Sequence, residues 1–385
     1  MKSYGCFIRS VALALVCAGA FLVSCGEKPL DSDEDADFKA VQPSGYNNLS
    51  ALSTANCYIL NQSGDYCIAA VKGNDSDGWL TTAKYAEVLW ETFGTSTAPQ
   101  DGDLIKSVSY KDGYIAFQTP TQFKEGNAVI AAKDESGDIL WSWHIWMTDQ
   151  PQEQVYKNNA GTMMDRNLGA TSETPGDVGA LGLLYQWGRK DPFLGSSSIS
   201  TDTEAKSTIT WPSVVKSNSS NGTIAYATAH PTTFITLSRS NLDWYYTGDS
   251  STDNTRWTTS ERNKSIYDPC PAGWRVPDGG SNGVWSKAIG SSSDFYDYPY
   301  DSTNEGMNFS GKFGSVSTIW YHASGYRGSY DGSLDDVGSY GNYWSASHSN
   351  YYAYCLNFDS NGRVYPSSRF NRATGRSVRC LQVID

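Results

Sequence analysis

The sequence predicts a β-rich protein of two domains, an N-terminal β-sandwich followed by an α+β domain. Its 385 residues include 25 Tyr, 13 Trp and 36 Gly with only 18% charged residues, a composition typical of β structure with long ordered loops. Seven short strand-like runs separated by turn signals fill residues 45–150. Strands repeated at this spacing predict a sandwich, and strand and helix signals are mixed after residue 155.

Residues 1–24 are predicted to be a lipoprotein signal peptide. Two basic residues precede an apolar run that is too short and wrongly flanked for a membrane span: Lys2, Arg9 and the run 10–23. The segment ends in Leu-Val-Ser-Cys, which resembles the bacterial lipobox, whose cysteine becomes the lipid-carrying mature N-terminus. The resemblance implies lipidation at Cys25, palmitate included, and an outer-membrane anchor. Ordinary cleavage near Ser24 is the alternative.

Residues 25–44 are predicted to be an acidic flexible tether. The stretch GEKPLDSDEDAD follows Cys25, lacks aromatic residues and cannot form a core. Acidic tethers at this position resemble the surface-export signals of Bacteroidetes lipoproteins, which implies a protein that faces outward. Because the signal peptide removes two positive charges, the formal charge of −12 becomes −14. Such a chain is a poor candidate for binding nucleic acid or anionic lipid.

Residues 45–150 carry the runs that predict the β-sandwich: NCYIL, YCIAAV, AEVLWETF, IKSVSY, GYIAFQT, NAVIAAKD and ILWSWHIWM. In the last run, apolar side chains alternate with Ser142 and His144, which predicts a strand buried on one face only. His144 stands alone among tryptophans, so we expect a packed or interface histidine rather than a metal ligand.

The chain beyond the sandwich is predicted to begin with a linker, residues 148–161. The stretch MMDRNLGA then predicts a short strand, and GALGLLYQWGRKDPF predicts a short amphipathic helix. Residues 196–262 are rich in Ser, Thr and Asn and hold few apolar anchors.

Five cysteines remain after removal of the signal peptide and lipidation: Cys57, Cys67, Cys270, Cys355 and Cys380. An odd number leaves at least one thiol unpaired or paired between chains. Cys57 and Cys67 flank a turn signal and are either bridged across a hairpin or free, depending on the register. Cys355 lies in a strand pattern and is expected to be a buried thiol. Cys270 lies between two prolines without adjacent cations, which favours a structural cysteine over a nucleophile or ligand.

The sequence predicts no enzyme, no cofactor and no metal site. Its four histidines lack zinc-like spacing, and it has no phosphate-binding, dinucleotide-binding or nucleophile-elbow motif. Asp335 and Asp336 are adjacent in a Gly/Ser-rich loop, where such pairs are more often solvated than catalytic. They leave a loop-bound Ca²⁺ open as a possibility.

Six motifs define residues 155–385: GLLYQW, CPAGWRVP, GYR, GNYWS, AYCLNF and RATGRSVRC. In this order they resemble the Fibrobacter succinogenes major paralogous domain, which implies a C-type-lectin-like architecture. Cys270 and Cys380 occupy motif positions, so the resemblance implies a disulfide between them. The same architecture occurs in formylglycine-generating enzymes, but these two cysteines stand at framework rather than catalytic positions. Residues 45–150 resemble segments of Bacteroidetes fimbrial-tip and surface lipoproteins.

The resemblance implies structural roles for most motif residues. Trp274, Trp344 and Tyr326 are expected to pack the core of the C-terminal domain. Gly341 and Gly375 are expected at tight turns. The two arginines of GRSVRC are expected to make buried hydrogen bonds.

The frame motifs YWS and SVRC enclose the predicted ligand-binding residues: Ser347, His348, Asn350, Tyr351, Tyr352, Tyr365 and Arg369. Tyrosine offers a large, stiff contact surface with one hydroxyl, while Asn, Ser and His provide adaptable hydrogen bonds. We expect about half of these tyrosines to be exposed and the rest to complete the core.

These features predict a surface lipoprotein, a fimbrial-tip adhesin whose C-terminal domain binds a host, bacterial or glycan ligand and whose partners include other fimbrial subunits. The alternative is a structural pilus-assembly subunit without a ligand of its own. Exposed, clustered side chains in residues 347–354 would favour adhesion, and buried ones would favour assembly.

Overall fold

The computed structural model describes residues 38–248, 251–290 and 298–383. The predicted signal peptide, Cys25 and residues 25–37 of the predicted tether lie outside the described residues.

The N-terminal half, described from residue 38 to residue 150, contains eight strands there: β1 Asn47–Asn48, β2 Cys57–Leu60, β3 Asp65–Ala69, β4 Tyr85–Thr92, β5 Ser107–Lys111, β6 Tyr114–Gln118, β7 Gly126–Lys133 and β8 Ile139–Met147. All seven strand-like runs predicted from the sequence are confirmed. They form two four-stranded sheets, ordered β1-β3-β6-β5 and β2-β8-β7-β4.

The two sheets share one hydrophobic cluster, an arrangement compatible with the predicted β-sandwich. Ile68 and Ile115 come from the first sheet and Trp143 and Ile145 from the second. The prediction that β8 is buried on one face only is wrong, because Ser142 and His144 on its other face are also buried. The C-terminal half covers that face, where the Ser142 hydroxyl donates to Asp191 Oδ1 at 2.6 Å.

The described residues of the C-terminal half, from residue 151 onward, form sixteen short strands: β9 Glu153–Tyr156, β10 Gly161–Met164, β11 Leu184–Gln186, β12 Val215–Lys216, β13 Ile235–Thr236, β14 Trp274–Arg275, β15 Tyr300–Asp301, β16 Gly306–Asn308, β17 Trp320–His322, β18 Ser324–Arg327, β19 Leu334–Val337, β20 Tyr340–Ser349, β21 Tyr352–Asp359, β22 Val364–Asn371, β23 Gly375–Ser377 and β24 Leu381–Gln382. Within the described ranges the helices are a 3₁₀ turn and two short α-helices: Val178–Ala180, α1 Ile224–Ala229 and α2 Val284–Ile289. None of these helices is long and apolar enough to cross a membrane.

The largest sheet of this half has seven strands, with the path β19-β18-β23-β20-β21-β22 and β11 paired to β23. A four-stranded sheet follows the order β14-β24-β10-β9, and a three-stranded sheet follows β15-β16-β17. Strands β12 and β13 form a small parallel pair. Taken together, the described residues form a β-rich structure with several sheets.

Two local predictions for the C-terminal half are wrong. Residues 148–161 are not a free linker, because they contain β9, which pairs antiparallel with β10. The stretch expected to be an amphipathic helix contains strand β11 instead. Gly182 and Gly188 on either side of it have positive φ, which ends regular helix. All three residues of β11 are buried, whereas an amphipathic helix would expose a polar face to solvent.

The polar stretch 196–262 is anchored by a few large side chains. Trp244 and Trp257 are almost fully buried and donate their indole N–H groups to backbone carbonyls of residues 187 and 189. Asp243 and Arg256 form an ion pair that is also buried. These anchors order a segment whose composition alone suggests a loop.

The two predicted halves share buried structure. One hydrophobic cluster contains Cys57, Trp90 and Trp146 from the first half together with Trp187 and Trp344 from the second. The Asn56 side-chain amide donates to the carbonyls of residues 266 and 268 at 2.7 and 2.9 Å. The described residues from Lys39 onward accordingly form one compact unit.

The expected disulfide between Cys270 and Cys380 is confirmed, and it joins residues 110 positions apart in the chain. Cys57, Cys67 and Cys355 are free and buried. A hairpin bridge between Cys57 and Cys67 does not form because β2 and β3 belong to different sheets.

Candidate ligand-binding site

The predicted binding residues lie around the end of the β20–β21 hairpin and on the adjacent strand β22. Ser349 pairs with Tyr352 across the hairpin, and Tyr354 pairs with Arg369 of β22. Asn350 at the tip has φ 50°, a left-handed conformation that asparagine tolerates better than most residues. The frame below the tip is rigid, since Trp344 is fully buried and its indole N–H donates to the carbonyl of residue 185 at 2.9 Å.

All seven predicted binding residues have solvent-accessible side chains. His348, Asn350, Tyr365 and Arg369 are exposed, whereas the half-buried ones are Ser347, Tyr351 and Tyr352. Within residues 347–354 only Ala353 is buried. Only His348 and Asn350 of this segment are fully exposed, so its burial falls between the exposed pattern expected for adhesion and the buried pattern expected for assembly.

The structure brings six of the seven residues to one end of the sheet. Tyr365 lies opposite Asn357, whereas Arg369 lies opposite Tyr354, four residues farther along β22. At about 3.3 Å per residue the two positions are about 13 Å apart. Tyr365 therefore belongs to a different part of the surface.

A cavity of about 360 Å³ opens beside the hairpin end. It takes Tyr352 and Arg369 from the predicted set. Sequence reasoning missed its other lining residues: Tyr326, Gly328, Ser329, Tyr330, Asp331, Asp335, Phe370, Asn371, Thr374 and Arg376. We call this space the tyrosine cavity.

The loop between β18 and β19 supplies Tyr330, whose side chain is 69% exposed. The loop is a tight turn in which Gly328 N–H donates to the Ser333 carbonyl at 2.8 Å and Gly332 N–H to the Gly328 carbonyl at 2.9 Å. Asp331 accepts from both the backbone N–H and the hydroxyl of Ser333. The sequence signal that could have found this loop is a tyrosine among turn residues in the stretch GSYDGS.

Arg376 forms the floor of the cavity and is buried as expected. Its guanidinium lies 3.8 Å from the Phe370 ring centroid and 5.2 Å from that of Tyr326. It donates to Asn342 Oδ1 and to the Thr374 hydroxyl. Burial lowers the pKa of Arg376. The aromatic faces and acceptors thus hold this guanidinium in one position.

Three motif predictions need correction. Tyr326 is half-buried and lines the cavity rather than the core. Gly341 is the second residue of strand β20 and Gly375 is the first residue of β23, so neither lies within a turn. A Cβ at Gly341 would lie 2.1 Å from the Phe358 ring, and one at Gly375 would lie 3.0 Å from the Cβ of Arg327. Close side-chain packing explains these glycines.

The rim of the cavity is acidic. Burial and the neighbouring carboxylates, led by Asp331, raise the pKa of Asp335. Burial and the nearby carboxylates, Asp336 first, raise the pKa of Tyr326 to about 12, so its hydroxyl keeps its proton at neutral pH. In the part of the chain that the structure describes, no three His, Cys, Asp or Glu side chains are arranged to hold a metal ion.

The lining supports binding through hydrogen bonds and aromatic contact. It offers tyrosine hydroxyls, an amide, two small hydroxyls, two carboxylates and two guanidinium groups. None of the lining residues is His, Cys, Lys or Glu. The hydroxyls of Ser329 and Thr374 consequently have no imidazole or amine base among the lining side chains to activate them.

Comparison of the chain with protein-family models, with curated proteins and with solved structures gave no match.

Proposed function

We propose that this chain is a cell-surface lipoprotein that binds an extracellular protein or glycan ligand in the tyrosine cavity, as a fimbrial-tip adhesin would. The observation that carries the proposal is the exposed tyrosine and arginine surface around that cavity, built on a buried frame. Tyr330 and Tyr352 present aromatic faces and hydroxyls, and Arg369 adds a charged planar donor.

The physical argument rests on preorganisation. Tyrosine contributes contact area with few rotatable bonds, so little conformational entropy is lost when it binds. Tyr352 and Arg369 lie on paired strands, and the turn hydrogen bonds around Asp331 hold the loop that carries Tyr330. A site on such elements has its geometry before the ligand arrives, which favours recognition.

The surface location rests on the lipobox and the acidic tether of the sequence. We expect wild-type cells to incorporate a clickable fatty acid into the protein and the Cys25→Ala variant to incorporate none. Equal labelling of both forms would contradict the lipid anchor and, with it, the proposed outer-membrane location.

The binding proposal is tested with the mature chain carrying Cys25→Ala, applied to an array of glycans and extracellular proteins. We expect a ligand whose affinity falls at least about tenfold in Tyr352→Ala and in Arg369→Ala, as for a contact near the centre of an interface. The matched control is Tyr85→Ala, which removes a tyrosine that is 56% exposed on the N-terminal strand β4.

Binding that survives both cavity variants would place the ligand site elsewhere. If the array yields no ligand at all, the structural pilus-assembly subunit becomes the better interpretation, and binding to other fimbrial subunits is then the function to measure.

A further inference from the structure

A larger cavity, of about 780 Å³, lies where the N-terminal half meets the C-terminal half. Ser53, Thr54 and Asn74 line it from one side, and residues 262–264 and 381–383 line it from the other. It shares no lining residue with the tyrosine cavity. We call it the seam cleft. Ligand sites often form at such junctions between structural units.

The seam cleft concentrates positive charge in an acidic chain. The whole sequence has 41 acidic and 29 basic residues. The cleft lining, by contrast, contains one carboxylate, Asp278, and four basic residues: Arg262, Lys264, Arg275 and Lys287. Glu153 and Glu261 border this lining without belonging to it, and they accept hydrogen bonds from the side chains of Gln382 and Asn263.

Two of the four basic residues are already engaged. Arg275 pairs with Asp278 at 2.6 Å, and Lys264 pairs with the buried Asp268 at 2.5 Å. Arg262 and Lys287 are exposed, and neither forms an ion pair with any carboxylate in the described ranges. These two side chains are therefore available to an anionic ligand.

The local structure holds Arg262 in an uncommon backbone conformation. Its φ is 66°, in the left-handed region that disfavours side chains other than glycine by about 1 kcal/mol. The turn is closed by its N–H, which donates to the Thr259 carbonyl at 3.0 Å, and by Asn263 N–H, which donates to the Thr259 hydroxyl at 3.2 Å. Strain of this kind often accompanies a functional position.

The neutral part of the lining indicates the class of ligand. It is rich in hydroxyls and amides, and no aromatic side chain lines it: Ser53, Thr54, Asn74, Asn159, Asn263 and Gln382 supply the polar groups. Single-stranded nucleic acid would require stacking platforms and a denser row of cations. A ligand with many hydroxyls and a few separated negative charges suits this surface. We propose that the seam cleft binds an anionic saccharide that carries carboxylate or sulfate groups.

The test measures binding of the mature Cys25→Ala chain to three oligosaccharide probes of equal length: sulfated dextran, oligogalacturonate and neutral dextran. We expect binding of the sulfated probe, the carboxylated probe or both, weakening with added salt. The double variant R262E/K287E should bind the acidic probe at least about tenfold more weakly. The control K84E/K106E makes the same change in net charge at exposed lysines outside the cleft and should change affinity less than about twofold.

Preference between the sulfated and carboxylated probes identifies the acidic group. Equal losses in the two double variants would show only a general charge effect and overturn the proposal. Undiminished binding by R262E/K287E, binding of neutral dextran as tight as that of the acidic probes, or no binding of any probe would overturn it as well. Because Tyr352→Ala lies in the other cavity, it should leave this binding unchanged whether or not the tyrosine cavity has a ligand.

Discussion

At the scale of single residues, the buried neighbours of His144 fix the protonation state of its imidazole ring. The Asn127 side-chain amide donates to the Gly169 carbonyl at 2.8 Å, so its oxygen faces His144 Nε2, also at 2.8 Å. Nε2 must therefore carry the proton, and Nδ1 accepts from the Cys57 thiol at 3.4 Å. Burial lowers the pKa of His144 to about 3 and raises that of Cys57.

This arrangement predicts acid destabilisation. The unfolded chain binds a proton at His144 with a pKa near 6.5, whereas the folded chain does not until about pH 3. Unfolding free energy should therefore fall as the pH drops below 6.5, by about 2 kcal/mol at pH 5 from this residue. Urea unfolding at pH 7 and pH 5 measures it.

Between pH 7 and pH 5, the unfolding free energy of His144→Gln should fall by about 2 kcal/mol less than that of the wild type, whatever the stability of the variant at pH 7. The exposed His230→Gln serves as the control and should keep the wild-type dependence. If His144→Gln shows the same dependence as the wild type, the buried neutral imidazole is not the cause.

At the scale of elements, the disulfide braces the four-stranded sheet β14-β24-β10-β9. Cys270 precedes β14 and Cys380 precedes β24, and these two strands pair directly, Arg275 opposite Leu381. A bond that closes a loop of 110 residues restricts the unfolded chain strongly.

We expect C270A/C380A to lower the unfolding free energy by about 4 kcal/mol, and reduction of the wild type to have a similar effect. Urea unfolding with and without reductant measures both. A double variant as stable as the oxidised wild type would contradict this account, as would peptide mapping under non-reducing conditions that finds either thiol free.

The elements also show what the sequence could predict. The seven N-terminal strands were predictable because short runs of strand-forming residues bounded by turn residues mark each one locally. The helix expected at GLLYQW was wrong because residues from distant parts of the chain decide which side chains of this segment are buried. Ser377, for example, pairs with Leu184 in β11. Short strands held by nonlocal partners leave little local signal.

The lining of the candidate site was likewise predictable only in part. Of the cavity lining, Tyr352 and Arg369 were predicted because they lie between the recognisable frame motifs YWS and SVRC. Tyr326 of β18 and Tyr330 of the following loop were missed as cavity-lining residues because a nonlocal strand pair, Arg327 opposite Gly375, brings β18 to the segment that contains Thr374 and Arg376. Tyr365 was grouped with the others by sequence proximity, which the extended geometry of β22 does not preserve.

At the scale of the whole molecule, the two halves should unfold together. Asn56 and Asp268 are 212 positions apart in sequence yet hydrogen-bonded, and Trp146 shares a buried cluster with Trp344. Separation of the halves would expose this apolar face and leave buried polar groups unpaired. No local pattern in the sequence could reveal that contact.

Scanning calorimetry of the mature Cys25→Ala chain should show one cooperative transition with a calorimetric enthalpy equal to the van't Hoff value. Two separate transitions would show that the halves are stable independently and that their shared cluster contributes little.

The central claim is that the tyrosine cavity is the ligand site, and hydrogen–deuterium exchange with and without the ligand found on the array tests it most directly. Bound ligand should slow exchange in residues 326–335 and 350–371, which surround the cavity, and leave the N-terminal strands β1–β8 unchanged. Protection confined to β1–β8 or to the seam cleft, with none in these two segments, would contradict the claim.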